Sequence, residues 1–471
     1  MMADPAPPSR WARPDAFDAF IAAGVALAAR AAVVAWASSR FPPAEDGRFY
    51  DVVARRIAHG LGYTWLWPDG AVTYAAHYPV GYPALLGGAY AIFGERPVVA
   101  MALNAVLGAG AAFAVHRVAA TSATRTGAAL AALAVALHPG LVAYTPALMT
   151  EGTTAALLAI AAWLVVRARD GTRRTRFATL AALAVALGAA TLVRPQSLLL
   201  APFYGFVALR GATSRRRVLA AAAVTAGAML TCLPWTLRNC SRMHSCALVS
   251  VNAGWNLFIG AAPGATGSWV PIEKLGVPSE CRTVWDEAAK DACFLRAGAR
   301  AIRQAPLHWL SLAPKKLADT FDYAGAAGFY LHSSNPDAFG EASKIALGTV
   351  ETIWQRLVVL AGLVALVRAA GPREQARRIL GFASSGWLVV RSAWVAHIGV
   401  IGAAGLLGSR LVDRPAAAIA ASTVFATALT HAAFFGAGRY SLVCFPALAA
   451  LAGTALTRKE QVGDTHISKE S

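Results

Sequence analysis

Charge is scarce in this chain, and acid is scarcer than base. Only 14% of its 471 residues are charged, with 25 Asp and Glu against 43 Lys and Arg. A soluble domain carries about 25% charged residues, so a water-surrounded globule is excluded. The motifs of nucleotide, zinc and serine-hydrolase chemistry are also missing. No P-loop, G-x-G-x-x-G, H-E-x-x-H or G-x-S-x-G pattern occurs. There is no internal repeat, and no low-complexity tract beyond a richness in alanine, which suits close helix packing in lipid.

What the chain has instead is apolar length. It is 57% hydrophobic, with a mean hydropathy of +0.49, the composition of a polytopic membrane protein. A net charge of +18 would suit a nucleic-acid binder, but the arginines sit in short loops between apolar runs. These loops are 117–125, 167–176, 210–217, 368–378 and 410–414. That is the positive-inside pattern of cytoplasmic loops, and no nucleic-acid partner is expected.

The first apolar run, Phe17 to Ala37, has about the length a membrane-spanning helix needs. It lacks a small-residue cleavage site and is expected to stay as a helix. With Arg10 and Arg13 inside, the loop of about 39–96 falls outside the cell. It contains an amphipathic helix pattern from Tyr50 to Tyr63, closed by Gly60 and Gly62, and a short apolar stretch, Ala84 to Phe93, that reads as an interfacial helix. Further spans are expected at about 97–116, 128–146, 152–167, 177–193, 195–209 and 218–237. A large polar region, about 238–351, then lies outside and includes a helix near Asp286 to Gln304. Spans at about 352–367, 415–436 and 440–456 follow. Region 379–409 reads as one tilted helix or two short ones near Arg391, and the basic tail Arg458-Lys459 lies inside. The expected fold is all-α, with about 11–12 spans. It divides into a module 1–237, the outer region 238–351 and the C-terminal helices 352–471.

Cys232 and Cys444 lie in apolar segments. Cys240, Cys246, Cys281 and Cys293 fall in the outer region, where an oxidising compartment favours disulfides. Three pairings are open, and local pairing, Cys240–Cys246 and Cys281–Cys293, is expected. Zinc is the weaker alternative, since there is no C-x-x-C.

Ionisable residues at membrane depth are functional candidates by default. On the outer side these are Glu45 and Asp46 at the head of the first loop, Glu151 in the next outer turn, Arg194, and Arg439 beside Tyr440. Each has a plain structural alternative. Arg194 can snorkel, Glu151 can serve a helix N-terminus, Arg439 can anchor a helix end, and His77 can be a satisfied loop histidine. Together they describe one cavity, with carboxylates for base chemistry and arginine forks for an anion such as a lipid phosphate. Lys315 and Lys316 are further candidates for the phosphate.

Several motifs in series resemble a known family. Asp46-Gly47-Arg48-Phe49-Tyr50, with Ala54, Gly60, Gly62 and Tyr63, is followed by Tyr78-Pro79-Val80-Gly81-Tyr82-Pro83 and Phe93-Gly94. Leu192-Val193-Arg194-Pro195 comes next, then Pro234-Trp235-Thr236-Leu237-Arg238-Asn239 and the stretch Val251 to Gly260. Arg439-Tyr440-Ser441-Leu442 with Pro446 closes the series. The series is similar to that of bacterial GT-C glycosyltransferases, relatives of dolichyl-phosphate-mannose protein mannosyltransferases and of lipid A aminoarabinose transferases. It covers nearly the whole chain in order.

The resemblance implies a GT-C bundle in a bacterial inner membrane. The enzyme would take a sugar from a polyprenyl phosphate and pass it to a hydroxyl acceptor on the outer face, with inversion. By the same resemblance Asp46 would be the general base, with Glu45 second and Glu151 supporting. Arg194, Arg439, Tyr440, Lys315 and Lys316 would meet the donor phosphate, and His77, Tyr82, Asn252 and Asn256 the substrates. No cofactor is called for, and a divalent metal stays open. The chain departs from the family in its Glu45-Asp46 pair, in having Glu at 151 where relatives often have Asp, in a longer 379–409 region, and in the less basic residues after Tyr440. A lipid transporter or flippase would also show many spans and buried charge. It would more often show Gly/Pro-broken helices in two matching halves, and it leaves the large outer loop unexplained. A non-catalytic assembly subunit would not require acids gathered on one face.

Overall fold

The computed structural model describes residues 14–370 and 391–456. The expectations for the basic lead, for 371–390 and for the basic tail lie outside the described residues. Among those described, seven helices are long and apolar enough to cross a membrane. They are α1 (Pro14–Ala37), α4 (Pro97–Ala119), α7 (Thr150–Arg169), α8 (Arg173–Val193), α10 (Ser214–Arg242), α15 (Glu341–Ala370) and α17 (Pro415–Ala433). Four more apolar stretches are broken. One is α5 (Arg125–Ala136) with α6 (Pro139–Ala143); another is a 3-10 turn Pro195–Leu200 leading into α9 (Ala201–Val207). The other two are α16 (Ala393–Gly405) with the turn Gly408–Asp413, and the turn Gly438–Val443 leading into α18 (Phe445–Gly453). Pro139 and Pro195 mark two of the breaks, because proline lacks an N–H and ends the preceding helical ladder. The chain is an all-α polytopic membrane protein.

Of the boundaries that differ from the sequence reading, two frame the large outer region. Helix α15 starts at Glu341, not near 352, because Glu341 and Lys344 pair at 2.7 Å on a polar first turn that extends the helix beyond the apolar run. Helix α10 runs on to Arg242. There the buried Asn239 side chain donates to the carbonyls of Ala247 and Val249 and ties the helix end to the returning chain.

The long helices pack in sequence: α1 on α4, α4 on α7, α7 on α8 and α8 on α10, while α15 pairs with α18. Helix ends then alternate between two faces. One face carries the arginine-rich loops. Arg125 meets Asp18 at 2.6 Å, Arg169 donates to the Val207 carbonyl at 2.6 Å, and Arg368 reaches Ala455 O.

The opposite face carries the long loops. Its first loop holds α2 (Asp46–Ala58), a short antiparallel hairpin, β1 (Thr64–Leu66) with β2 (Val72–Tyr74), and α3 (Gly81–Phe93). The large polar region adds α11 (Ala253–Ala261), α12 (Glu287–Gln304), α13 (Ala313–Phe321) and α14 (Ala326–Ser334). Phe258 and Phe294 form a small core there beside a Cys281–Cys293 disulfide, and a second disulfide joins Cys240 to Cys246. The Glu287 carboxylate binds this region to the first loop, accepting from the backbone N–H of Ala76 at 2.7 Å and of His77 at 3.1 Å.

Candidate active site

Four charged side chains from four distant stretches meet on the loop-bearing face. Asp46 opens α2. Its Oδ2 accepts from Arg439 Nη1 at 3.0 Å, and its Oδ1 accepts from the Tyr78 hydroxyl at 2.8 Å. Glu151, in the first turn of α7, is buried. Its Oε1 accepts from Arg194 Nη1 at 2.6 Å and lies 3.5 Å from Arg439 Nε, while its Oε2 accepts from the Tyr144 hydroxyl at 2.9 Å. Arg439 also donates to the Tyr330 hydroxyl, and Arg194 to Thr150 Oγ1 at 3.3 Å. Two carboxylates and two guanidiniums thus form one balanced network.

Local sequence explains the placement. Glu45 has a positive φ of 51°, so the chain reverses just before α2. This turns Glu45 outward, where it is exposed and accepts from Ser333 Oγ at 2.6 Å, while Asp46 points into the network. Gly47 lets α2 rest on the turn before α7, since a Cβ there would lie 2.8 Å from the Ala147 carbonyl. Arg194 precedes Pro195, which holds it in extended backbone and ends α8. Gly438 allows the turn at Arg439 to press on the backbone of Tyr323 and Ala324.

Tyr440 is the floor beneath both arginines. Its ring lies 4.8 Å from the Arg194 guanidinium and 5.2 Å from that of Arg439, and it stacks on His431 at 4.0 Å. Cation–π contacts of this kind hold the guanidiniums in place, and Arg439 Nη2 also donates to the Tyr440 hydroxyl at 3.4 Å. Burial holds the Tyr78 and Tyr330 phenols well above their ordinary range, and the nearby Asp46 carboxylate pushes them the same way. Both stay protonated.

The other sequence candidates lie around this centre. Tyr82 is buried and exchanges hydrogen bonds with Asn104. The His77 ring packs edge-on against Tyr78 and Trp255, and burial pushes its pKa down to about 4. Asn252 sits at the head of α11 and accepts from Ser250, and Asn256 lies one turn further on. The two lysines have their charge engaged elsewhere. Lys315 pairs with Asp319. Lys316 is buried, donates to the Ala432 and Ala433 carbonyls at 3.3 Å at the end of α17, and burial pushes it down to about 8. Among the described residues no group of three or more His, Cys, Asp or Glu is placed to hold a metal.

Sequence reasoning missed Tyr144, Tyr330 and Asn104 as partners, and left Tyr78 within a motif without a role. Tyr78 and Tyr330 carry no local signal, because their partners lie 32 and 109 residues away. Tyr144 lies only 7 residues before Glu151, but nothing in the sequence shows that the turn between them brings the two together.

Residues 77–237 match a family model described as dolichyl-phosphate-mannose-protein mannosyltransferase. The match includes His77, Tyr78, Tyr82, Tyr144, Glu151 and Arg194; Asp46 and Arg439 lie outside it. No curated protein matches the chain in sequence. Among solved structures, the chain is similar to the oligosaccharyltransferase AglB from Archaeoglobus fulgidus in complex with an inhibitory peptide and a dolichol-phosphate. That similarity covers 95% of this chain and 50% of that one, at 14% identity and a TM-score of 0.47. The apo form of the A. fulgidus oligosaccharyltransferase gives 14% identity and a TM-score of 0.48 over 94% and 50% of the two chains. ArnT from Cupriavidus metallidurans bound to undecaprenyl phosphate gives 15% identity and a TM-score of 0.39 over 93% and 77%. The chain spans about half the length of the archaeal enzymes it matches. Over residues 77–237 it carries the sequence pattern of the dolichyl-phosphate-mannose-protein mannosyltransferases.

Proposed function

We propose that this protein is a membrane glycosyltransferase that moves a sugar from a polyprenyl-phosphate donor to a hydroxyl acceptor on the extracytoplasmic side. One observation carries the reading: Asp46, Glu151, Arg194 and Arg439 converge at the end of a helix bundle where a lipid phosphate and a polar acceptor can meet. The family match over 77–237, whose description names a lipid-phosphate sugar, supports it. The face assignment follows from the arginine-rich loops on the opposite side.

The chemistry needs a base and fixed positive charge, and no nucleotide. Asp46 Oδ2 takes the proton of the acceptor hydroxyl as that oxygen attacks the anomeric carbon. The bond from that carbon to the phosphate oxygen breaks, and its electron pair leaves with the polyprenyl phosphate. Arg194 and Arg439 stabilise the added negative charge. A single displacement inverts the anomeric centre. Glu151 positions the arginines, and Tyr78 fixes the carboxylate plane of Asp46 by donating to Oδ1. Glu45, turned outward, is the second choice for base.

The test is to incubate membranes containing the protein with a panel of polyprenyl-phosphate sugars and follow release of polyprenyl phosphate. Sugar-dependent release with transfer to a membrane acceptor is expected. Movement of the intact lipid across the bilayer without release would favour a flippase and overturn the proposal. A cysteine placed at position 270 should react with an impermeant reagent from outside, and labelling only after permeabilisation would invert the topology.

A further inference from the structure

The network is neutral as it stands, because each carboxylate already neutralises an arginine. The arginines that the donor phosphate needs are spoken for, and so is the base. Asp46 Oδ1 is held by the Tyr78 hydroxyl at 2.8 Å, and Oδ2, the remaining oxygen, by Arg439 Nη1 at 3.0 Å. An acceptor hydroxyl arriving first meets a carboxylate whose two oxygens each already accept one hydrogen bond and whose charge is shared with Arg439. Arg194 is held by the buried Glu151 at 2.6 Å. Arg439 spreads its contacts over Asp46 at 3.0 Å, the Tyr330 hydroxyl and Glu151, 3.5 Å from its Nε, so no single acid holds it as Glu151 holds Arg194. It alone touches both acids.

We infer that the Arg439–Asp46 ion pair is a latch that the donor phosphate opens, so that donor binding must precede use of the base. Resting on the transferase reading, this assigns an order to the site. A phosphate drawn to Arg439 competes with the Asp46 carboxylate for the charge of one guanidinium. As the guanidinium shifts to the phosphate, Oδ2 is released toward the acceptor, while the Tyr78 bond keeps the carboxylate in place. The base becomes available only when a donor is present, which protects the sugar phosphate site from idle proton chemistry. Tyr78 is a positioning residue in this scheme, and Arg439 both binds and gates.

The prediction is a competition, and a double-mutant cycle on ligand binding reads it. Undecaprenyl phosphate is titrated into the full-length protein in detergent, with tryptophan fluorescence as the signal and a monodisperse peak by gel filtration as the check on folding. Asp46→Asn removes the competing charge and keeps the Tyr78 bond. It should bind the lipid phosphate about tenfold more tightly than wild type, the scale of one charge-assisted hydrogen bond. Glu280→Gln, an exposed acid paired with Arg300, should leave binding unchanged. The gain must act through Arg439: in an Arg439→Gln background, adding Asp46→Asn should change binding little. Unchanged affinity in Asp46→Asn overturns the latch. So does an equal gain with Arg439 removed, because simple repulsion between carboxylate and phosphate would then explain it. Failure of wild type to bind undecaprenyl phosphate at all counts against the transferase reading itself.

Discussion

The two faces of this bundle differ in how most of their arginines are used, although Arg125 on the first meets Asp18 and Arg238 on the second donates to backbone carbonyls. On the arginine-rich face, guanidiniums serve helix ends. Arg176 donates to the carbonyls of Ala168 and Gly171, Arg217 to Leu209, and Arg169 to Val207. Ala168 and Val207 are last-turn carbonyls, which a helix leaves without an internal partner, and Gly171 and Leu209 lie just beyond the helix ends. On the loop-bearing face, Arg194 and Arg439 turn to two acids brought from remote stretches of chain. The first use orients a protein in its membrane. The second gathers charge that a ligand can redistribute. Arginine abundance therefore marks topology, and a functional centre is marked only where arginines and carboxylates are held together below the surface.

Substitutions should separate the two uses. The largest effect is expected from Glu151→Gln, which strips the charge partner from Arg194 and loosens Arg439. Removing one partner of a buried pair costs about 3–5 kcal/mol, so the thermal unfolding temperature should fall steeply and transferase activity with it. An unfolding temperature like that of wild type would show that Glu151 does not bear on the arginines as the distances indicate. Next comes the outer region. Replacing Cys281 and Cys293 by serine opens a loop with a sequence separation of 12, and loss of such a bridge costs about 3 kcal/mol. Calorimetry on the double variant measures it, and free thiols at Cys281 and Cys293 by mass spectrometry of the unreduced wild type would remove the premise.

A smaller effect concerns pH. His77 has a pKa lowered to about 4 by burial, against about 6.5 in an unfolded chain. Between those values the unfolded state binds the extra proton, so stability rises with pH and is lost as pH falls from 6.5 toward 4. The ring keeps partial exposure, so the loss should be roughly 1–2 kcal/mol. His77→Gln should flatten that part of the curve of unfolding temperature against pH; an unaltered slope would assign the acid sensitivity elsewhere. The smallest effect is expected on the opposite face, where Arg217→Gln should stay within about 0.5 kcal/mol of wild type. A large loss there would erase the distinction between the faces.

Much of this architecture was legible in the sequence. Apolar runs of span length, separated by basic loops, give the helices and their alternation, and the helix expected near 286–304 is found at Glu287–Gln304. The broken stretches were harder, because a 3-10 turn at Pro195 or at Gly438 keeps the same apolar composition as a continuous helix. The start of α15 was misread for the reverse reason: its first turns are polar yet helical. At the site, motif and charge position singled out Asp46, Glu151, Arg194 and Arg439. The sequence put Asp46 ahead of Glu45 by motif alone; that Asp46 faces the network and Glu45 faces outward depends on one positive φ and on the contact of Gly47 with Ala147. Lys316 was read from its charge alone, and the helix end its Nζ meets, at Ala432 and Ala433, carries no signal in composition.

That pair of adjacent acids offers the most direct measurement. Turnover of a polyprenyl-phosphate sugar should be compared in Asp46→Asn and Glu45→Gln, at matched expression and unchanged unfolding temperature. A carboxylate base contributes about 10²–10⁴-fold in rate. Asp46→Asn should lose activity by about that factor, while Glu45→Gln, whose carboxylate faces Ser333 outside the network, should stay near wild type. Near-wild-type turnover in Asp46→Asn would contradict the account: with Glu45→Gln inactive the base lies one residue earlier, and with both active it lies elsewhere in the molecule.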